Sequence, residues 1–261
     1  MKYRLRFLAA MLASLFVLSL VGCSEEKVDS LSRVEKAGEV SFAMSGGYPP
    51  FNFYNTENQL VGFDVDVAKE VAKRMGVELN PVTTEWSGII EGLRSGAYDG
   101  ILGSMAVTPE RQKVVNFSDP YYYSGAQLVV KEGSPFESAE DIKGKIVGVV
   151  TGTTFANDAE KLGAGEVKLY KDDTQTLTEL ASGVVDAVIT DRVVGVNAMN
   201  SGKFDIELLG APLRSEDIAV AFKKEDDTLL KKVNEVLAEM HEDGTLTHFS
   251  RKWLNTDITT K

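Results

Sequence analysis

Apolar and polar positions change period repeatedly along the chain, and the changes divide it into elements. Val40–Met44 (VSFAM) alternates like a strand. It ends in Ser45-Gly46-Gly47-Tyr48-Pro49-Pro50-Phe51, where two glycines and two prolines stop both helix and sheet. From Gly62-Phe63-Asp64 the period becomes helical. Val65, Ala68, Val71, Ala72 and Met75 share one face, Asp64 has the chemistry of an N-cap, and Gly76 suits the stop. Val77–Val82 reads as a strand, Trp86–Leu93 as a helix capped by Ser87, and Tyr98–Leu102 as a third strand. Strands alternating with helices predict a mainly parallel sheet.

The rhythm restarts at Lys145–Val150 (KIVGVV), which runs into Thr151-Gly152-Thr153-Thr154. A helix over Thr153–Leu162, a strand over Val167–Tyr170, a helix over Thr174–Ser182 and a strand over Ala187–Ile189 follow, then a helix over Arg192–Asn200. Two short apolar strands, Gln127–Lys131 and Ala219–Phe222, bracket this second unit and are read as hinge crossings. Thr228–Glu242 carries Leu229, Val233, Val236, Leu237 and Met240 on one helical face. With Thr247–Trp253 it is expected to pack back on the first unit. The expected division is residues 34–126 with 220–261 as one lobe and 127–219 as the other.

The N-terminal pattern belongs to targeting rather than to fold. Lys2, Arg4 and Arg6 precede the apolar run Phe7–Leu20, which has signal-peptide length and is short for a membrane span. It ends in Leu20-Val21-Gly22-Cys23, a small residue before the chain's single cysteine. This resembles a bacterial lipobox, which predicts a leader over residues 1–22, lipid on Cys23 and a polar tether over residues 23–33. An ordinary signal peptide or a buried free cysteine is the plainer alternative. A lone cysteine forms no intrachain disulfide.

Charge narrows the partners. The net charge is −11, and removing residues 1–22 takes away three positive charges and no negative ones, leaving −11 − 3 = −14. Nucleic acid needs a basic footprint, so this balance argues against it. No catalytic set emerges: His241 and His248 lie in the C-terminal helical part and read as surface residues. No phosphate loop or zinc spacing occurs, and the DVD of Asp64–Asp66 lacks the calcium-loop pattern. No cofactor or metal is expected.

Asp99–Gly125 (DGILGSMAVTPERQKVVNFSDPYYYSG) sets a short buried strand, a small-residue turn and a helix start beside one arginine. Thr108 can cap that helix and Pro109 suits its first turn, which places Arg111 early in it. A guanidinium offers a planar fork that bonds a carboxylate bidentately. A surface pairing with Glu110 or Asp119 is the alternative. Asp191 ends the otherwise apolar segment VDAVITD, where it could equally cap the helix that follows.

Three blocks resemble the bacterial extracellular solute-binding proteins of family 3, which serve ABC importers of polar amino acids: GFDVDVAKEVAKRM (62–75), TPERQKVVNFSDPYY (108–122) and GVVTGTT (148–154). The likeness runs over about residues 35–255. It implies an α/β, two-lobed, type II periplasmic binding protein fold, each lobe a mainly parallel sheet flanked by helices and joined to the other by two hinge strands. It implies a lipid-anchored monomer in the periplasm or at the cell surface, with an amino acid ligand and a permease–ATPase complex as partners. By resemblance Arg111 holds the ligand's carboxylate and Asp191 its ammonium. Thr153 and Thr154 match positions that meet the carboxylate, and Gly103, Ser104 and Ala106 match a segment lending backbone and hydroxyl groups. Tyr48, Phe51 and Trp86 match aromatic positions around the ligand's side chain.

The sequence departs from the family at Ala106, where many relatives carry a hydroxyl, and at Ser45, where binders of basic amino acids often carry an aspartate. Glutamine, arginine, cystine or another polar amino acid therefore stay open as ligands. Two other function classes stay open too. One is a cyclohexadienyl dehydratase-like enzyme, for which Glu85 is the one nameable general acid. The other is a sensing module for a membrane partner.

Overall fold

The computed structural model describes residues 29–261, so the expected leader, Cys23 and most of the tether lie outside the described residues. The chain enters through α1 (Ser30–Ala37), capped by the Asp29 carboxylate on Ser32 N. The last residues assigned to the tether are thus helical. Their anchor is tertiary: Ser30 Oγ lies 3.1 Å from Thr228 Oγ1, almost two hundred residues away.

β1 (Glu39–Met44) leads into a small three-stranded sheet of β2 (Gly47–Tyr48), β3 (Asn52–Tyr54) and β4 (Leu60–Val61). Then come α2 (Phe63–Met75), β5 (Glu78–Thr83), a 3-10 turn at Trp86–Gly88 and α3 (Ile89–Ser95). β6 (Gly100–Ala106), the single turn α4 (Pro109–Gln112) and β7 (Asn116–Lys131) complete the first passage. The second unit is β8 (Ile146–Val150), α5 (Phe155–Lys161), β9 (Glu166–Tyr170), α6 (Asp173–Ser182), β10 (Ala187–Asp191) and α7 (Arg192–Asn200). β11 (Ile206–Phe222) returns, and α8 (Asp227–Glu242) and α9 (Thr245–Leu254) close the fold.

The main sheet has eight strands in the order β5-β1-β6-β11-β7-β10-β8-β9. β1 is parallel to β5 and β6, and β8 is parallel to β9 and β10. Each half therefore holds three parallel strands, as a βαβ rhythm requires. The halves are not separate sheets. β7 and β11 are antiparallel ribbons of 16 and 17 residues that run through both. The expected short crossings are the far ends of these strands: Gln127–Lys131 pairs with β10 and Ala219–Phe222 lies beside β6. Between those ends the β7–β11 register shifts from Leu209 to Arg214, which lets the ribbon twist where the halves join.

Two local expectations are corrected. The GSMA segment is not a turn but the end of β6, with Ser104 alone at φ 63°. Asp64 and Ser87 are not caps. Gly62 precedes α2 at φ 131°, and a Cβ there would sit 2.2 Å from the Phe51 carbonyl, so glycine lets the 50–51 loop lie on the helix start. Ser87 falls inside the 3-10 turn, which starts after Glu85.

The first core packs the buried face of α2 against Phe42, Met44, Tyr121 and Tyr122, with Leu229, Val233, Val236, Leu237 and Met240 of α8 over it. The C-terminal helices thus return to the first lobe as expected. Val147, Val149, Ile189 and Phe155 centre the second lobe. Val194 of α7 joins the first core, so the lobes also meet through apolar contact.

Candidate functional site

The strand ends of the two halves face each other across a cavity of about 60 Å³. Open α/β sheets place ligands there, because the loops leaving parallel strands gather on one edge. Of the residues singled out in the sequence, Tyr48, Trp86, Gly103, Ser104, Ala106, Arg111, Thr153, Thr154 and Asp191 line it. Phe51 does not. It is fully buried behind Tyr48, stacked at 5.4 Å, and it also packs on Tyr122 at 5.0 Å and edge-on against Phe63 at 6.2 Å.

Arg111 comes from α4, where Pro109 starts the turn and the Thr108 hydroxyl accepts the Arg111 amide at 3.1 Å. Its guanidinium donates to the Ala106 carbonyl at 2.8 Å and, across the gap, to the Gly152 carbonyl at 3.3 Å. It also lies 5.7 Å over the Trp86 ring. None of these partners carries a full negative charge, and burial lowers the affinity of this group for its proton. Gly152 makes the approach possible. It sits at φ 81°, and a Cβ there would be 3.2 Å from Ser87 Cα of the facing lobe.

Asp191 ends β10 and caps α7 through the Val193 amide at 2.7 Å. Both sequence roles for this carboxyl are geometrically compatible, since the cap engages one oxygen and the residue still lines the cavity. It is 1% exposed, and no cation pairs with it among the described residues. Burial, with the Glu216 charge nearby, pushes its pKa up to about 7.

The remaining lobe 1 wall is built on Asp64. This buried carboxylate accepts from Tyr121 Oη at 2.7 Å, Ser104 Oγ at 2.8 Å and Asn52 Nδ2 at 2.7 Å. Asn52 in turn accepts from Gly46 N and Ser45 Oγ. One buried charge thereby orients Ser104 and the 45–47 loop together, and burial lifts its pKa to about 6 despite the three donors. Thr153 donates to the Val150 carbonyl at 2.7 Å, and Thr154 donates to Glu216 at 2.9 Å.

Sequence reasoning missed Asp173, Glu216, Asp172, Lys171 and Phe155, all of which line the cavity. Glu216 is satisfied by Arg214 at 2.8 Å. Glu85 is absent from the lining: it sits exposed on the rim, 3.1 Å from Lys171 of the other lobe. That position does not suit a general acid. The two histidines are exposed. No helix among the described residues is long and apolar enough to cross a membrane, and none of their acidic, histidine or cysteine groups forms a metal-holding cluster.

Known proteins with this arrangement are numerous. Residues 40–256 match the family model of the bacterial extracellular solute-binding proteins, family 3. The chain is 34% identical to the L-cystine-binding protein TcyJ of Escherichia coli (strain K12), over 88% of this chain and 87% of the relative. A crystal structure of a mutant of ArgBP from T. maritima superposes with a TM-score of 0.82 at 35% identity, covering 87% of this chain and 99% of that one. The ancestral amino acid-binding protein AncCDT-1, a precursor of cyclohexadienyl dehydratase, also gives 0.82, at 33% identity over 87% and 100%. These structures share the two-lobed type II α/β architecture expected from the sequence.

Proposed function

The chain belongs to the bacterial extracellular solute-binding proteins, family 3, and from that premise we propose that its cleft captures a free polar L-amino acid for delivery to an ABC importer. One observation carries the reading. Among the described residues, a half-buried guanidinium without a carboxylate, Arg111, and a buried carboxylate without a cation, Asp191, line one cavity from opposite lobes. An α-amino acid supplies both missing charges, its carboxylate to Arg111 and its ammonium to Asp191. The Arg111 fork bonds a carboxylate bidentately, and neutralising both cleft charges at once offsets their desolvation. Ser104, the β6 backbone, Thr153 and Thr154 complete the polar wall, while Tyr48 and Trp86 face the side chain.

Relatives named for cystine and for amino acids support the class. The lobes, 34–126 with 220–261 and 127–219, are in this reading the parts that close on the ligand. The protein acts as a monomeric receptor rather than an enzyme, tethered through lipid on Cys23 to a bacterial membrane, in the periplasm or at the cell surface. The leader pattern and single cysteine support the tether. Replacing Cys23 by Ala should then release the protein into the aqueous phase of a detergent partition.

The reading is tested by a thermal-shift screen over the twenty amino acids and cystine. A ligand that binds only the folded state raises stability by RT ln(1 + [L]/Kd), so a true ligand gives a shift that grows with concentration. No shift with any of them would sink the proposal.

A further inference from the structure

The charges around the cavity do not balance when a simple zwitterion is added. The lining carries two cations, Arg111 and Lys171, and four carboxylates, Asp172, Asp173, Asp191 and Glu216. Two of these six are already paired with groups outside the lining: Lys171 with Glu85, and Glu216 with Arg214. Asp172 is half-exposed and caps α6 through the Gln175 amide at 2.8 Å. That leaves Arg111 against Asp191 and Asp173. A ligand with one carboxylate and one ammonium satisfies Arg111 and one aspartate, and one buried aspartate is left over.

Asp173 is 5% exposed and lines the cavity. One of its oxygens accepts the Thr190 hydroxyl, and no other residue donates to the second oxygen among the described residues. A buried carboxylate without a cation is costly, and here its surroundings push its pKa up to about 6. On the opposite wall the lining cation is Arg111, which the Ala106 and Gly152 carbonyls hold; Ser45 is neutral, and an added Cβ on Gly47 would lie 3.7 Å from Asp172 Cβ. Tyr48 lies in the joint field of Asp191 and Asp173, which together with burial holds its phenol well above the usual range. Tyr48 and Asp173 line the same cavity, and an aromatic ring and a carboxylate both favour a cation.

We infer that Asp173 is the subsite for a second cation, so that the cleft selects an amino acid carrying an amino or guanidino group on its side chain. This rests on the amino acid reading above and deepens it. The neutral Ser45 pointed away from such a ligand in the sequence, but the charge is supplied from the facing lobe.

Titration calorimetry on the purified protein tests it with two isosteric pairs, arginine against citrulline and lysine against 2-aminoheptanoate. At least one charged member should bind at least about tenfold more tightly than its neutral isostere. Asp173→Asn keeps an acceptor for Thr190. It should erase that preference while leaving affinity for the neutral isostere, or for glutamine, within about threefold. A cooperative melt at a temperature no lower than that of the wild type shows that the variant is folded. Equal affinities within both pairs in the wild type, or a preference that survives Asp173→Asn, overturns the subsite. Binding of glutamine or citrulline without either cationic ligand overturns the subsite alone. Binding of no amino acid overturns the cleft reading and the subsite with it.

Discussion

Arg111 and Arg214 are two guanidinium groups beside one cavity, built in opposite ways. Arg214, on β11 where the lobes join, has every charge it needs from the chain. Asp158 takes it at 2.7 Å and Glu216 at 2.8 Å, and its Nη2 also donates to Thr154. These partners raise its proton affinity even though burial works against them. Arg111 is held as firmly in space, by a capped helical turn and two carbonyls, yet has no carboxylate partner among the described residues, and its proton affinity falls. The same side chain is structural where the fold supplies the anion and a receptor group where the fold withholds it.

The largest expected effects break this comparison directly. Replacing Arg214 by Ala leaves Asp158 and Glu216 buried without a cation. It should cost about 3 kcal/mol in urea unfolding, the low end for breaking a buried pair, because the Arg214 side chain is 31% exposed. Replacing Arg111 by Ala should leave the unliganded fold within about 1 kcal/mol of the wild type, since no charge loses its partner. It should weaken amino acid binding by about a hundredfold or more, because the ligand carboxylate would then be buried unpaired. If Arg111→Ala unfolds the protein, or Arg214→Ala is silent in unfolding, the distinction between the two arginines fails.

The arginine half of that distinction was legible in the chain and the carboxylate half mostly was not. Thr108, Pro109 and Arg111 form a local cap-and-turn signal, and the structure realises it as a single helical turn. The helical face of α2 was equally plain, since Val65, Ala68, Val71 and Ala72 are all buried. Asp64 misled because an aspartate opening a helix is a cap by local rules. Its carboxyl turns instead to Tyr121, Ser104 and Asn52, two of them distant in sequence. Asp173 and Glu216 reach the cavity only when two halves of a sheet approach, and no periodicity encodes that. Phe51 reads the same whether a ring lines a cleft or backs the one that does. The continuous β7 and β11 looked like short strands because their burial pattern is interrupted where the halves join.

A second comparison sets the buried carboxyls that lack a cation against a buried one that has a cation, and pH separates them. Asp64, Asp173 and Asp191 keep protons in the folded state up to about 6, 6 and 7, whereas the unfolded chain releases them near 3.8. Between those limits the folded state binds more protons than the unfolded one, so stability falls as pH rises from about 4 to 7. Asp99, held below the usual range mainly by the Ser41 donors and Arg33 against the pull of burial, has the opposite sign. Its contribution is present above about pH 4 and lost in more acid solution. Melting of the unliganded protein should therefore be highest near pH 4–5, and Asp191→Asn should flatten the decline toward pH 7. Ligand affinity should rise over the same interval, because an ammonium prefers the ionised Asp191. A flat melting profile, or affinity falling with pH, would contradict the placement of an uncompensated carboxyl in the cleft.

The smallest effect belongs to the rim, where Glu85 and Lys171 meet at 3.1 Å with 62% and 65% of their side chains exposed. Each comes from a different lobe, so the pair exists only while the lobes are together. In that respect it resembles the Arg111 contact to Gly152, but here both partners are charged side chains in water, which screens their attraction. Glu85→Gln should therefore weaken ligand binding by less than about threefold in dilute buffer. The loss should lie in the dissociation rate, because the bridge forms after the ligand has entered and must break before it leaves. Raising salt to about 0.5 M should bring wild type and variant together, since the screening length then falls to roughly the span of the pair. A deficit that persists in high salt, or one found in the association rate, would instead place Glu85 in contact with the incoming ligand and move it from the rim into the site.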